Sequence, residues 1–179
     1  AAGFERVKLN CVLMRGVNEE EIWPLVLFAA EHRLPLRLIE LMPVTTCTAI
    51  THDNFFSIER ARALLEQKDE LIPQHSTYLG WGPAKYFRLR HAGALVGFIG
   101  AMTTPHFCET CNKMRLTADG KVRPCLGDHE EIDLRETLRR ATNDDAVRAL
   151  LLAAMQRKPL DHSFRRMYHP CRPMIAIGG

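Results

Sequence analysis

The sequence predicts an α/β protein, because it opens with a strand–helix–strand pattern and later carries a hairpin signal followed by two helical segments. Residues 5–14 and 36–41 are rich in apolar and β-branched side chains, as strands are. Residues 19–32 between them place apolar side chains on one helical face: Ile22, Leu25, Val26 and Ala29. A strand, a helix and a strand within about 40 residues form the βαβ unit from which parallel sheets are built.

The remaining segments follow from local signals. Asn18 is expected to cap the first helix with Glu21 as its capping-box partner, and Pro24 is expected to kink that helix. The Asp119-Gly120 dipeptide predicts a tight turn between two strands. The pattern further predicts a loop at 43–54, helices at 57–67, 132–140 and 144–158, and strands at 84–89, 95–101, 113–118 and 121–126.

Composition narrows the functional classes. The net charge of +3 is small for a nucleic-acid-binding protein, and apolar stretches such as 149–155 are too short to cross a bilayer. Three of the six cysteines cluster, which favours a metal site in a reducing cytoplasm over a disulfide scaffold. The chain begins at Ala1 without a methionine, so we expect a fragment of a longer protein.

The clustered cysteines have the spacing of metal ligands. Two residues separate Cys108 from Cys111, and thirteen separate Cys111 from Cys125, so the predicted hairpin returns the third thiol to the first two. Three soft thiolates suit zinc or an iron–sulfur cluster. Structural zinc requires a fourth ligand, for which His106, His129 or another cysteine is available. The spacing alone leaves both metals open.

A longer motif surrounds these cysteines. It reads Cys-Glu-Thr-Cys-Asn-Lys-Met-Arg-Leu-Thr-Ala-Asp-Gly-Lys-Val-Arg-Pro-Cys-Leu over residues 108–126. This motif resembles the C-terminal cluster motif of the GTP 3′,8-cyclase family, the radical SAM enzymes of the first step of molybdopterin synthesis. Residues 7–10, residues 36–42 and the terminal Gly178-Gly179 are also similar to that family.

The resemblance implies a fold and cofactors. Residues 1–45 would be the last βαβ part of an incomplete (β/α) TIM-type barrel, and residues 46–179 a small α+β region that binds a cluster and GTP. Cys108, Cys111 and Cys125 would hold a second 4Fe–4S cluster with one iron open to GTP. S-adenosyl-L-methionine and a first 4Fe–4S cluster would belong to a Cys-x-x-x-Cys-x-x-Cys motif, which this sequence lacks. The chain should therefore bind a cluster and part of GTP, and should not catalyse the reaction by itself.

The resemblance also implies individual roles. Met42 would contact S-adenosyl-L-methionine, and Gly178 and Gly179 would form a tail that enters the active site. An arginine inside an apolar strand, such as Arg37, is unusual as a surface charge. Lys113 stands where the family usually has arginine, so it keeps the charge and loses the bidentate fork. The residues implied to bind GTP are Lys8, Arg37, Lys113, Met114 and Arg115.

The chemistry implied for the intact family is radical cyclisation. A radical formed from S-adenosyl-L-methionine removes the C3′ hydrogen of GTP, and C3′ then bonds to C8, giving (8S)-3′,8-cyclo-7,8-dihydroguanosine 5′-triphosphate. The implied partners are GTP, cyclic pyranopterin monophosphate synthase as the next enzyme, and a second copy in a homodimer. A cytoplasmic location is expected, without nucleic-acid or membrane binding. The alternatives are a zinc-binding structural or interaction module, and a radical SAM relative whose second cluster serves another substrate.

Overall fold

The computed structural model describes residues 3–4, 7–75, 82–109, 111–140, 143–166 and 168–177. The chain divides into two compact units: unit 1 comprises Ala1–Leu41 and Ile50–Phe107, and unit 2 comprises Met42–Ala49 and Cys108–Gly179. Gly178 and Gly179 lie outside the described residues. The boundary predicted at residue 45 was based on the roles that the family resemblance implies for each part of the chain. It stays a prediction.

Unit 1 is a five-stranded mixed sheet with two helices. Its strands run in the order β1-β2-β5-β4-β3, in which β1, β2 and β5 are parallel while β3 and β4 are antiparallel to their neighbours. The parallel β1–β2 pair with a helix between its strands confirms the predicted α/β class. The elements are β1 Leu9–Leu13, α1 Ile22–Glu31, β2 Leu36–Glu40, α2 Ile58–Glu66, β3 Leu71–Gln74, β4 Lys85–Leu89 and β5 Leu95–Ile99.

The two faces of this sheet have different chemistry. Successive side chains of a strand point to opposite faces, so each strand contributes to both. One face joins the helices in an apolar core that includes Leu38 and Val96 from the strands, Val26 from α1 and Leu65 from α2. The other, more polar face carries Asn10, Arg37 and Tyr86 together with the apolar Val12, Ile39 and Ile99. The apolar face fixes the sheet and thereby positions the polar one.

The start of α1 differs from the prediction. Asn18 makes no capping bond; its Oδ1 accepts from the Met14 N–H at 2.8 Å and its Nδ2 donates to Val12 O at 2.9 Å. A 3₁₀ turn at Glu19–Glu21 leads into the helix, which begins at Ile22. Pro24 therefore lies in the first turn, where a missing N–H breaks no helical hydrogen bond. The expected kink in mid-helix was wrong.

Unit 2 contains a small antiparallel sheet in the order β6-β7-β8 and two helices. The predicted hairpin is confirmed, with Gly120 in its turn at a φ of 78°. The core cluster of unit 2 consists of Val122, Leu134 and Ala154. The elements are β6 Arg115–Leu116, β7 Lys121–Arg123, β8 Ile132–Asp133, α3 Arg135–Arg140 and α4 Asp145–Gln156. Among the described residues no helix has the length and apolar character needed to cross a membrane.

Candidate metal centre and anion-binding faces

The polar face of unit 1 carries a row of side chains that crosses four strands. The register pairs Asn10 with Arg37, Arg37 with Gly97, and Gly97 with Tyr86. The Arg37 Nε donates to Asn10 Oδ1 at 2.7 Å. Lys8 is two residues before Asn10, and its Nζ lies 5.9 Å from the centroid of the Tyr86 ring. Lys8 and Arg37, both singled out from the sequence, therefore meet around one tyrosine.

Gly97 makes room for that tyrosine. A Cβ at residue 97 would lie 2.7 Å from Tyr86 Cε1, which is closer than carbon atoms approach. The ring is 9% exposed. Burial raises the pKa of Tyr86, while the charge of nearby Arg37 lowers it. Sequence reasoning missed Asn10, Tyr86 and Gly97, although an isolated glycine in a strand is a known sign of close approach.

A second cationic site lies on the hairpin of unit 2. Arg115 is directly opposite Arg123, and like charges in that position repel. Arg123 is 1% exposed and is stabilised by Asp128 O at 2.6 Å from its Nε and by the Tyr168 hydroxyl at 3.0 Å. Burial, and then the charge of Arg123, lower the pKa of the half-buried Arg115. Glu131 Oε1, 3.7 Å from Arg123 Nη1, offsets part of that repulsion, and a bound anion would offset more of it.

The other two predicted GTP residues of unit 2, Lys113 and Met114, directly precede Arg115 in the sequence. Lys113 is exposed, and its backbone carbonyl accepts a hydrogen bond from Lys158 Nζ at 2.7 Å. Met114 is half-buried and packs against the core of unit 2. Met42 is half-buried, and its carbonyl accepts from the Val44 N–H at 2.8 Å. The roles of Lys113, Met114 and Met42 stay predictions.

The three predicted ligand thiols are half-buried in unit 2. The Cys111 N–H donates to Cys108 O at 3.0 Å, which closes the tight turn between them. Burial, the Asp161 carboxylate and the charge of Cys125 raise the pKa of Cys108 to about 11. Burial also raises the pKa of Cys125, to which the charge of Cys111 contributes. Cys125 thus acts electrostatically on Cys108, and Cys111 acts on Cys125. A bound metal would have to displace the protons of these thiols.

The spacing of these thiols bears on the kind of metal. Among the described residues, one group brings three donor atoms within 4.8 Å of one another: Cys108, Asp161 and His162. Cys108, Cys111 and Cys125 do not meet that limit together. Zinc binds sulfur at about 2.3 Å, which puts tetrahedral ligands roughly 3.8 Å apart. The three thiols are therefore not all as close together as the ligands of one zinc ion would be.

The loop after the third cysteine is held by its carbonyl groups. Each carbonyl from residue 124 to residue 128 accepts a hydrogen bond, so the path of the chain at Cys125 is fixed from several directions. The donors come from three parts of unit 2. They are Lys158 Nζ to Pro124 O (2.9 Å), Asp128 N to Cys125 O (3.4 Å), Tyr168 Oη to Leu126 O (3.2 Å), Ser163 N to Gly127 O (3.0 Å) and Arg123 Nε to Asp128 O (2.6 Å).

Backbone N–H groups point at two of the thiols. The Gly127 N–H donates to Cys125 Sγ and the His162 N–H donates to Cys108 Sγ, and both bonds lower the pKa of the thiol they reach. Hydrogen bonds to sulfur are among the features that set the reduction potential of iron–sulfur clusters. The cysteines are therefore surrounded by the groups that a thiolate-bound metal uses.

The other cysteines lie elsewhere. Cys11 packs against the core of unit 1. Cys47 is exposed. Cys171 is exposed, with its Sγ 3.2 Å from His129 Nδ1. His129 and Cys171, considered as fourth ligands, form no group of three donors with the clustered cysteines among the described residues.

Comparisons with known proteins agree with the cysteine motif. The chain is 38% identical over 179 residues to the GTP 3′,8-cyclase of Pelotomaculum thermopropionicum, covering 99% of this chain and 54% of the relative. It is 39% identical over 181 residues to that of Heliobacterium modesticaldum, covering 100% and 55%. It is 40% identical over 172 residues to that of Rhodobacter capsulatus, covering 96% and 51%. The chain thus spans about half the length of these curated relatives.

The family assignment depends on a longer match than the cysteine motif alone. A family model described as Molybdenum Cofactor Synthesis C matches residues 34–164, which include all three clustered cysteines and the hairpin between them. That span is well over half of the 179 residues. The chain therefore belongs to the Molybdenum Cofactor Synthesis C family.

Proposed function

We propose that this chain is the part of a GTP 3′,8-cyclase that holds the second, substrate-binding 4Fe–4S cluster and part of the GTP site. The observation that carries the proposal is the grouping of Cys108, Cys111 and Cys125 in unit 2, where the charge of Cys125 acts on Cys108 and the charge of Cys111 acts on Cys125. The names of the relatives support the substrate. The role belongs to molybdopterin biosynthesis.

The thiols fit the cluster better than they fit a single ion. They are half-buried, they receive N–H bonds from Gly127 and His162, and they do not all lie within 4.8 Å of one another. Three protein ligands on a four-iron cluster leave one iron that can take a ligand from the guanine. The protein's part is to hold three thiolates in place and to shield them from water.

The cationic groups would hold the rest of GTP. A triphosphate carries about four negative charges near neutral pH and binds to cationic side chains. In unit 2, Arg115 has an unfavourable neighbour in Arg123 that an anion would compensate. In unit 1, Lys8 and Arg37 are held around Tyr86. Their contribution to catalysis would be orientation of the ribose and guanine, which lowers the entropic part of the barrier.

The complete reaction requires more than these residues. The sequence contains no Cys-x-x-x-Cys-x-x-Cys motif, so we assign to this chain the binding of substrate and not the generation of the radical. The incomplete barrel, the Met42 contact with S-adenosyl-L-methionine and the tail role of Gly178 and Gly179 are parts of the same proposal. So are the homodimer and the transfer of product to cyclic pyranopterin monophosphate synthase.

Anaerobic reconstitution with iron and sulfide tests the cluster. The chain should take up about four irons and absorb broadly near 400 nm, as thiolate-bound clusters do. Cys125→Ser should abolish iron retention. Cys171→Ser is the matched control and should keep it, since Cys171 is exposed and outside the thiol group. Iron retention by Cys125→Ser equal to that of the unchanged chain would contradict the ligand assignment.

A zinc-binding module is the second candidate, and the compact Cys108, Asp161 and His162 group is what favours it. The same reconstitution separates the two. One tightly held zinc ion and no iron, lost in His162→Ala and kept in Cys125→Ser, would replace the cluster with a mononuclear site.

A GTP titration of the reconstituted chain tests the substrate. GTP should change the spectrum of the cluster, and Arg115→Ala should weaken that response. Arg139→Ala removes the same charge from an exposed position in α3 and should not. A cluster that ignores GTP and responds to another ligand would favour a relative that acts on a different substrate.

A further inference from the structure

Lys158 occupies a position that the sequence motif does not assign. Helix α4 packs against β7 through Ala154, which is fully buried in the same core as Val122. The helix ends at Gln156, and Pro159 prevents its continuation. Lys158 lies between them, with its N–H bonded to Met155 O at 3.2 Å. The packing of α4 on the hairpin therefore determines where the lysine side chain begins.

The Lys158 ammonium joins the two arms of the cysteine hairpin. Its Nζ donates to Lys113 O at 2.7 Å and to Pro124 O at 2.9 Å. Lys113 is two residues after Cys111, and Pro124 is the residue before Cys125. One cation thus closes the hairpin at the end where the thiols lie. An ammonium has three donors, and two of them are used on backbone carbonyls.

The charge of Lys158 is not neutralised by an acid. Among the eleven ion pairs of the described residues, none includes Lys158. Its ammonium instead lies 2.9 Å from the carbonyl oxygen of Pro124, the residue that precedes Cys125. Adding an electron to a cluster increases its negative charge, and a nearby cation favours that step.

We propose that Lys158 is a positioning residue for the cluster. It fixes the hairpin so that Cys125 meets Cys108 and Cys111, and its charge raises the reduction potential of the cluster they bind. The inference rests on the proposed cluster function. These two effects of Lys158 can be separated, because fixing the hairpin depends on hydrogen bonding and raising the reduction potential depends on charge.

Four variants separate them in the reconstituted chain. Lys158→Met removes the donors and the charge; Lys158→Gln keeps amide donors without the charge; Lys158→Arg keeps both. Arg157→Met is the matched control, because the adjacent Arg157 pairs with Glu130 at 3.1 Å and makes no bond to the hairpin carbonyls. The readouts are the rate of iron loss to a chelator and the midpoint potential of the cluster.

We expect Lys158→Met to lose iron several-fold faster and to have a more negative midpoint than the unchanged chain. Lys158→Arg should restore both, and Lys158→Gln should restore retention while keeping the lower midpoint. Arg157→Met should resemble the unchanged chain. The inference is overturned if Lys158→Met matches Arg157→Met in both readouts. If Lys158→Met does not fold, Lys158→Gln against Lys158→Arg still decides the effect of charge.

Hydrogen exchange of the metal-free chain distinguishes this inference from the proposed function. Lys158→Met should speed exchange of the amides over residues 113–125, whether or not a cluster is ever bound. Equal exchange in Lys158→Met and in the unchanged chain would contradict the role of Lys158 in fixing the hairpin. Failure of the unchanged chain to take up iron would instead contradict the proposed function, and with it the effect on potential.

Discussion

Unit 1 and unit 2 are each stabilised internally by a different balance of interactions. Among the described residues, the main core of unit 1 has thirteen buried apolar side chains, whereas the core cluster of unit 2 has three, with Phe164, Tyr168 and Ile177 buried outside it. With a smaller apolar core, unit 2 is also stabilised by hydrogen bonds between side chains and backbone, as in the loop from Pro124 to Asp128. Apolar contacts are non-directional and tolerate small changes in geometry, while a hydrogen bond requires a donor at a defined distance and angle. Unit 2 should therefore be the more sensitive to single polar substitutions and to metal binding.

The largest exception to this contrast is Glu40, which gives our first prediction. It is fully buried at the end of β2 and accepts hydrogen bonds from Ile58 N at 3.1 Å, Met102 N at 2.7 Å, Thr103 N at 3.0 Å and the Thr103 hydroxyl. Glu40→Ala leaves three partly buried N–H groups without that acceptor, at about 1–3 kcal/mol each. We expect unit 1 to lose at least about 3 kcal/mol.

Urea unfolding followed by tryptophan fluorescence measures this loss, because Trp23 lies in α1 of unit 1. Glu66→Ala is the control. Its carboxylate forms an exposed pair with Arg62 at 2.8 Å, and such a pair contributes only about 0.3–0.5 kcal/mol. If the two variants are equally stable, Glu40 does not anchor the end of β2, and apolar burial alone holds unit 1.

The same contrast explains which elements could be predicted. Periodicity predicted β1, α1 and β2 because apolar burial leaves a repeating pattern in the sequence. It missed β3 because Pro73 lies in that strand. The strand is at the edge of the sheet, where a proline is tolerated because one side of the strand has no partner. The pair Ile132–Asp133 was predicted as the start of a helix and is a two-residue strand, too short to show a period.

The candidate sites were predictable to a different extent. The cysteines and Arg37 stand out by residue type. Tyr86 and Gly97 do not, because their meeting with Arg37 depends on the register of three strands from distant parts of the chain. The contact of Lys158 with Pro124 was hidden for another reason: every residue has a backbone carbonyl, so the acceptor leaves no trace in the sequence.

Two glycines sharpen the comparison in our second prediction. In unit 2 a Cβ at Gly127 would lie 2.7 Å from His162 Cβ, an atom attached directly to the backbone. Gly127→Ala must push the two segments apart and weaken the Ser163 N–H bond to Gly127 O. We expect a loss of roughly 1–3 kcal/mol in unit 2, the usual cost of overpacking. Thermal unfolding monitored by hydrogen exchange of residues 121–127 measures it.

Gly97→Ala is the counterpart in unit 1. The close atom there belongs to the end of the Tyr86 ring, which can turn away without moving the backbone. We expect a loss of stability below that of Gly127→Ala, together with a several-fold weaker binding of inorganic triphosphate, since Lys8 and Arg37 are arranged around that ring. Calorimetric titration measures the affinity. Unchanged affinity would remove Tyr86 from the anion-binding face.

The smallest effects we predict come from two aspartates that differ in their partners. In unit 1, Asp69 is buried, yet N–H groups of Ala92, His91 and Glu70 and the His91 ring hold its pKa at about 2. In unit 2, the Arg172 guanidinium at 2.8 Å holds the pKa of Asp119 below its usual range. Both carboxylates stabilise the folded chain only while they are ionised.

Because both pKa values are lower in the folded state, the stability that they add is complete above the unfolded value near 3.9. For Asp69 it is lost as the pH falls through about 2. Melting temperatures measured from pH 5 to about pH 2 should show this loss in the unchanged chain and less of it in Asp69→Asn and Asp119→Asn. Salt near 1 M shortens the screening length to about 3 Å and should weaken the exposed Arg172–Asp119 pair alone. Equal salt sensitivity of the two contributions would mean that unit 1 also depends on exposed ion pairs, and the contrast between the units would not hold.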